Sequence, residues 1–188
     1  MAFSDILDSL TALVPAPPGA VLHDSEGTRR ADLRDARAVF EIGDVLVAHA
    51  GFVAGRLGAK SASAPYDVIE LFAFVRPGQS FVPSPGGMAR LLGLGFLHSA
   101  EEGATALPQI ARHLLQEVAD LPQAGREALA PLVGTLDRAG WRWARLLKDI
   151  VGETPHGSPI AGLEVWRRTG VPVIVARPFT HTGPGQLD

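Results

Sequence analysis

The sequence predicts an α/β fold, with a sheet layer laid down first and a helix-rich C-terminal half. Three observations predict it. Short apolar runs bounded by turn residues alternate with helical patterns as far as Val75. Beyond Met88 the apolar spacing becomes helical throughout. Hydrophobic residues make up 46% of the 188 residues, enough for one compact domain with its own core.

Each element has its own signal. Ser4 to Leu13 reads as a helix with Ile6, Leu10 and Leu13 on one face, capped by Ser4 and ended by Pro15, Pro17 and Pro18. Ala20 to His23 and Thr28 to Asp32 read as two strands joined by the hairpin chemistry of Asp24-Ser25-Glu26-Gly27. Leu33 to Phe40 is a helix with Leu33, Ala36, Val39 and Phe40 inward, and Val45 to Ala48 is a buried strand. Phe52 to Leu57 is a short helix, Tyr66-Asp67 a strand or turn, and Val68 to Val75 mostly helix.

Met88 to Leu92 forms another short helix before Gly93. The clearest helix runs from about Leu107 to Leu121, with Leu107, Ile110, Ala111, Leu114, Leu115 and Val118 on one face and Pro108 in its first turn. Helices follow over Arg126 to Asp137 and Trp141 to Val151. Leu163 to Arg168 forms one turn, and residues 169–188 an extended tail or linker. Residues 1–168 are then a single domain.

Composition narrows the function classes. The chain has no cysteine, which excludes disulfides and thiolate metal sites and suits a reducing cytoplasm. A net charge of −3 gives no global basic field, so any contact with nucleic acid is local. No apolar run is long enough to span a membrane, and no signal peptide opens the chain.

Several motifs invite chemistry. Gly51, Gly55, Gly58, Ala59, Lys60 and Ser61 superficially suggest a phosphate loop, but Ala59 stands where glycine must precede the lysine. Asp24 and Glu26 have the spacing of a carboxylate pair for a divalent cation, and equally of a hairpin turn. His49 closes a strand. His98 opens an acidic stretch, His98-Ser99-Ala100-Glu101-Glu102-Gly103-Ala104, upstream of the long helix.

In their order along the chain, Ala48-His49, Phe52, Tyr66-Asp67 and the His98 segment resemble the second half of a ribonuclease-H-like, DEDD-type 3′–5′ exonuclease domain. The resemblance implies such a sheet flanked by helices and four carboxylates around two metal ions. Here Ala50 stands for the family's asparagine, neither Val53 nor Ala54 is an aspartate, and Gly103 occupies the late aspartate position. The resemblance thus implies a degenerate site with no catalytic residue and no metal, in which His49, His98 and Gly103 are remnants. The alternative is a metal-dependent exonuclease with rearranged ligands, using Asp24, Glu26 and a substitute such as Glu101 or Glu102. Asp24 lies only 25 residues before His49, too close for the family's usual three strands and a helix.

A narrower resemblance rests on Tyr66-Asp67-Val68-Ile69-Glu70-Leu71-Phe72-Ala73-Phe74-Val75-Arg76-Pro77. With Phe81 to Gly87, Trp141-Arg142-Trp143 and Gly162 to Arg168, this string is similar to the N-terminal region of bacterial DinG-like ATP-dependent DNA helicases. The resemblance implies a non-catalytic accessory domain, or truncated relative, whose partners are a helicase motor in cis or trans and DNA, with no membrane. ATP, Mg²⁺ and an iron–sulfur cluster would belong to the motor, leaving this chain without a cofactor.

Arg138, Arg142, Arg145 and Lys148, spaced by four, three and three, would form one basic stripe on a helix, suited to a DNA backbone or an acidic partner. A third possibility is a stand-alone interaction module whose surface centres on Phe72, Phe74 and Trp141.

Overall fold

The computed structural model describes residues 3–60 and 64–153, and the α/β class expected from the sequence is what it shows. The Ser4 cap, Ser61, the turn expected at Leu163 to Arg168, the tail and the boundary at 168/169 lie outside what is described.

Helix α1 (Phe3–Ser9) leads into strand β1 (Thr11–Ala16). A helix expected to Leu13 therefore stops at Ser9, and the next residues become the middle strand of the sheet. Pro15 argues against a central strand because it lacks the ladder N–H. Here β4 (Val45–Val47) pairs with β1 only at Thr11 and Ala12, so Pro15 lies beyond that ladder. On its other side β1 pairs antiparallel with β2 (Gly19–Asp24) through a cis Pro17-Pro18 turn. A Cβ at Gly19 would sit 2.2 Å from the Ala31 carbonyl oxygen, so that turn tolerates only glycine.

Strand β3 (Gly27–Ala31) pairs antiparallel with β2, closing the expected hairpin over Ser25-Glu26 with Gly27 at φ 116°. Helix α2 (Leu33–Ile42) begins at Asp32, whose carboxylate accepts the Asp35 N–H, and ends at left-handed Gly43. It buries Ala36 and Phe40, while Leu33 is 42% exposed and not inward as expected, because it sits in the first turn before the helix reaches the sheet. After β4 come α3 (Ala50–Leu57), β5 (Tyr66–Asp67) and α4 (Val68–Val75). The sheet order is β3-β2-β1-β4-β5, with β4 and β5 parallel to β1.

Alternation along the strands gives each face its own core. Leu13, Leu22, Val45 and Val47 pack under α2 and α3 with Phe40, Val53 and Leu57. Ala12, Leu46 and Tyr66 face the larger core beneath α1, α4, α5 (Pro85–Leu91), α6 (Ala100–Ala119) and α8 (Ala144–Val151). Helix α7 (Gln123–Arg138) packs against α8 and adds Leu129, Ala130 and Val133 to that core.

Helix α6 carries the predicted buried stripe, but it begins well upstream of Leu107. The Ser99 hydroxyl accepts the Glu102 N–H, and the Glu102 carboxylate accepts the His98 N–H, a reciprocal cap that fixes the start. Pro108 therefore lies more than two turns inside the helix, not in its first turn. The helix expected from Trp141 begins instead at Ala144, after a turn over residues 139–143 in which Gly140 takes φ 81°.

Candidate functional site

Parallel pairing puts the carboxyl ends of β1, β4 and β5 at one edge of the sheet, and the first turn of α6 reaches the same edge. The local chemistry is set by Asp67, 6% exposed, the one buried charged side chain among the described residues. Its carboxylate accepts backbone N–H groups from His49 (3.0 Å), Ala50 (2.6 Å) and Ile69 (3.0 Å). One side chain thus starts α4 and ties the end of β4 and the start of α3 to β5.

His49 takes φ 67°, the left-handed region, and is the only non-glycine residue there among the described residues. Its Nδ1 accepts the Phe52 N–H at 3.1 Å, so the imidazole is the N-cap of α3. The phosphate-loop-like glycines fall on α3 and its left-handed end at Gly58, not on a phosphate-cradling loop.

Around Asp67 the edge of β5 is sealed. Trp143, fully buried, donates Nε1–H to the Asp67 carbonyl at 2.8 Å and meets Tyr66 edge-on. Arg142 lies over the Tyr66 ring and bonds Asp44. Trp141 donates to Glu70 at 2.8 Å and stacks on Phe74. Burial pushes the Glu70 carboxyl up, the Trp141 N–H partly offsets this, and the Asp67 charge adds to the rise.

Gly103 lies in the first turn of α6 against β1. A Cβ built there would be 3.8 Å from Val14 and 3.7 Å from Pro85, ordinary contact distances. The neighbouring β1 residues on that face are Ala12 and Val14. His49 and His98 are both engaged at helix starts, one by its ring and one by its backbone N–H.

Asp24 and Glu26 belong to the β2–β3 turn. The Asp24 carboxylate accepts the Glu26 N–H and pairs with Arg29, whose hydrogen bond holds the acid below the usual carboxylate range. Glu101 pairs with Arg30 at 2.7 Å. Among the described residues, no three His, Asp or Glu side chains group as a metal-ion site would require. A pair of divalent cations does not fit the Val14–Gly103 contact, which offers hydrocarbon where cations need anionic oxygen.

The four cations of the expected stripe do not share one helix. Arg138 ends α7, Arg142 lies in the turn, and Arg145 and Lys148 sit on α8. Gly140 breaks the helix, and the burial of Trp143 redirects the chain. Arg142 and Lys148 are held by Asp44 and Asp137, while Arg145 is exposed. The surface expected at Phe72, Phe74 and Trp141 is interior: Phe72 is fully buried, Phe74 is 8% exposed, and Trp141 covers it.

Most of the Tyr66–Pro77 string is used for folding. Asp67 caps, Leu71 and Phe72 fill the core, and Arg76 makes a two-pronged pair with Glu117 of α6 at 2.6 and 3.0 Å. Sequence reasoning passed over Asp67 as a centre. Its signal was an aspartate three residues before Glu70 at the head of an apolar run, the pattern of a helix start. No family model, no curated protein and no solved structure matches this chain.

Proposed function

We propose that this chain is a non-catalytic accessory domain of a DinG-like ATP-dependent DNA helicase, built on a ribonuclease-H-like sheet whose metal-cage positions have become apolar. The observation that carries this is the packing of α6 over β1 at Gly103, where an added Cβ would lie 3.8 Å from Val14. An exonuclease of that type has three strands and a helix between its opening carboxylates and the histidine after its later strand. Counting back from His49 over α2, β3 and β2 leads to β1, not to Asp24. Ala12 and Val14 stand there facing α6, and Gly103 stands in the late aspartate position. Hydrolysis of a phosphodiester by paired cations needs anionic side chains to hold them, and these three residues supply none.

A role beside a motor suits the rest of the surface. Arg138 and Arg145 are exposed, without a carboxylate partner among the described residues, and lie on the packed helices α7 and α8. They suit a few phosphate contacts made alongside a stronger DNA-binding partner.

The test is to incubate the purified chain with single-stranded DNA and Mg²⁺ or Mn²⁺. Full-length DNA is expected, and metal-dependent shortening from the 3′ end overturns the proposal in favour of an exonuclease with rearranged ligands. Reversing the charge of Arg138 and Arg145 together should weaken DNA binding and flatten its salt dependence. An unchanged salt slope would leave bracing of the motor as the remaining role.

A further inference from the structure

We propose that the groove between α5 and residues 93–98 docks an acidic, amphipathic peptide segment of another protein. The inference does not depend on the helicase proposal.

Seven large hydrophobic side chains are exposed among the described residues, and four of them, Val82, Leu91, Leu94 and Phe96, border this region. Phe96 is 70% exposed and Val82 66% exposed. Scattered apolar residues on a surface are ordinary, but a concentration beside a concave hollow marks an interaction site. The hollow measures about 500 Å³ and is lined by Phe81, Val82, Leu91, Phe96 and Leu97 with Arg90. A second hollow of about 510 Å³ shares Phe96 and Leu97 but carries Glu101 and Glu102 in its wall, so the acidic occupant keeps to the first.

The exposure is built by the backbone. Gly93 at φ 72° and Gly95 at φ 97° flank Leu94 in left-handed conformations that other residues adopt only with strain. The Leu94 N–H donates to the Ala89 carbonyl at 2.9 Å, closing the end of α5 and holding the segment against it. On the other wall, a Cβ at Gly87 would lie 2.1 Å from the Val82 carbonyl oxygen, so only glycine lets Val82 approach α5 this closely. Phe96 and Val82 are therefore held outward by a locked scaffold.

Charge selects the occupant. Arg90 is the only charged residue lining the first hollow. Its guanidinium lies over the Phe96 ring, 5.7 Å from the centroid, and pairs with no carboxylate among the described residues. An apolar ligand covering Phe96 would strip water from one side of that cation, and a carboxylate on the ligand restores the lost solvation. Single-stranded DNA suits the groove less well. One cation offers one phosphate contact, and the aliphatic Val82, Leu91 and Leu97 suit side chains better than stacked bases.

A peptide-display library selected on the immobilised full chain, with the Phe96→Ser variant as counter-selection, tests this. Enriched peptides should pair apolar anchors with Asp or Glu, and a labelled synthetic copy of the strongest should bind Phe96→Ser at least about tenfold more weakly. Arg90→Glu should lose the acidic peptides and select basic ones in their place. Both side chains are exposed, so matching circular dichroism of the variants is expected to show an intact fold. No enrichment over the counter-selection, enrichment indifferent to the sign at residue 90, or Phe96-dependent binding of an oligo-dT probe with no peptide binding would each overturn the proposal.

Discussion

The carboxylate of Asp67 accepts the backbone N–H of His49 at 3.0 Å, joining the tip of β4 to the edge strand β5 from a site almost closed to water. With the Ala50 and Ile69 N–H groups it answers three donors that no carbonyl reaches. Removing it leaves part-buried donors without a protein acceptor, the costly side of hydrogen-bond energetics. Asp67→Ala is expected to lower the unfolding free energy by about 3 kcal/mol, the upper range for hydrogen bonds to a charged acceptor. Asp67→Asn keeps one carbonyl oxygen and should lose less, about 1–3 kcal/mol. Urea unfolding of the two variants checks the order, and equal losses would show that the oxygen kept by asparagine does not hold its backbone donors.

His49 combines a favourable and an unfavourable contribution. Its imidazole caps α3, while its φ of 67° costs a residue with a Cβ about 1 kcal/mol or more. Alanine keeps the strain and loses the cap, so His49→Ala should destabilise by about 1–2 kcal/mol. Glycine loses the cap but removes the strain, so His49→Gly should stay within about 0.5 kcal/mol of the parent. Thermal unfolding of the pair measures the gap. A glycine variant as unstable as the alanine variant would mean that the ring has a further role at this edge.

Gly103 has room for a methyl group in contact with Val14 and Pro85. Gly103→Ala should therefore raise helix propensity without a clash and stabilise the chain by about 0.5–1 kcal/mol. Gly103→Asp restores the carboxylate that the exonuclease resemblance expects, but sets it against hydrocarbon. It should be destabilised by about 1–3 kcal/mol and should not degrade single-stranded DNA with Mn²⁺, because Ala12 and Val14 still supply no partner ligand. Nuclease activity in that variant would show that the missing ligands come from elsewhere in the chain.

The legible elements were those whose apolar period was decided by one neighbour. The stripe on α6 from Leu107 to Val118 could be read directly because it buries one face, and β2 because its short apolar run, buried from Gly19 to Leu22, is bounded by turn residues. Strand β1 could not, because its prolines carry a helix-stop and turn signal, and only the short β4 ladder shows why Pro15 is tolerated. The cations after Arg138 keep helical spacing through a turn that is not helical; the deciding feature was Gly140 together with burial of Trp143, a tertiary contact to Asp67. Gly103, which the exonuclease resemblance sets at its late aspartate position, was legible in the sequence, but its packing over β1 was not. Placing the opening pair at Asp24 follows naturally from the D-x-E spacing, which hairpin turns also use. Phe96 stayed hidden because exposure of an aromatic depends on the left-handed glycines beside it, and sequence alone assigns them only to a loop.

Two carboxylates give the pH dependence of stability opposite signs. Burial raises Glu70 in the folded state, so folding takes up a proton between its unfolded and folded pKa values. Its contribution is therefore unfavourable above the folded value, and the penalty disappears as pH falls below the unfolded one. Asp24 is lowered by its hydrogen bond to Arg29, so its contribution is present above the unfolded value and is lost as pH falls through the folded one. Glu70→Gln removes the first charge and keeps an oxygen for the Trp141 N–H. It should be more stable than the parent at neutral pH, by less than about 1 kcal/mol because the side chain is partly in water. That advantage should vanish as pH falls through the carboxylate range. Arg29→Ala should be less stable at neutral pH, and its deficit should likewise shrink on acidification. Urea midpoints across that pH range separate the two, and a Glu70→Gln advantage that grew at low pH would contradict the burial effect.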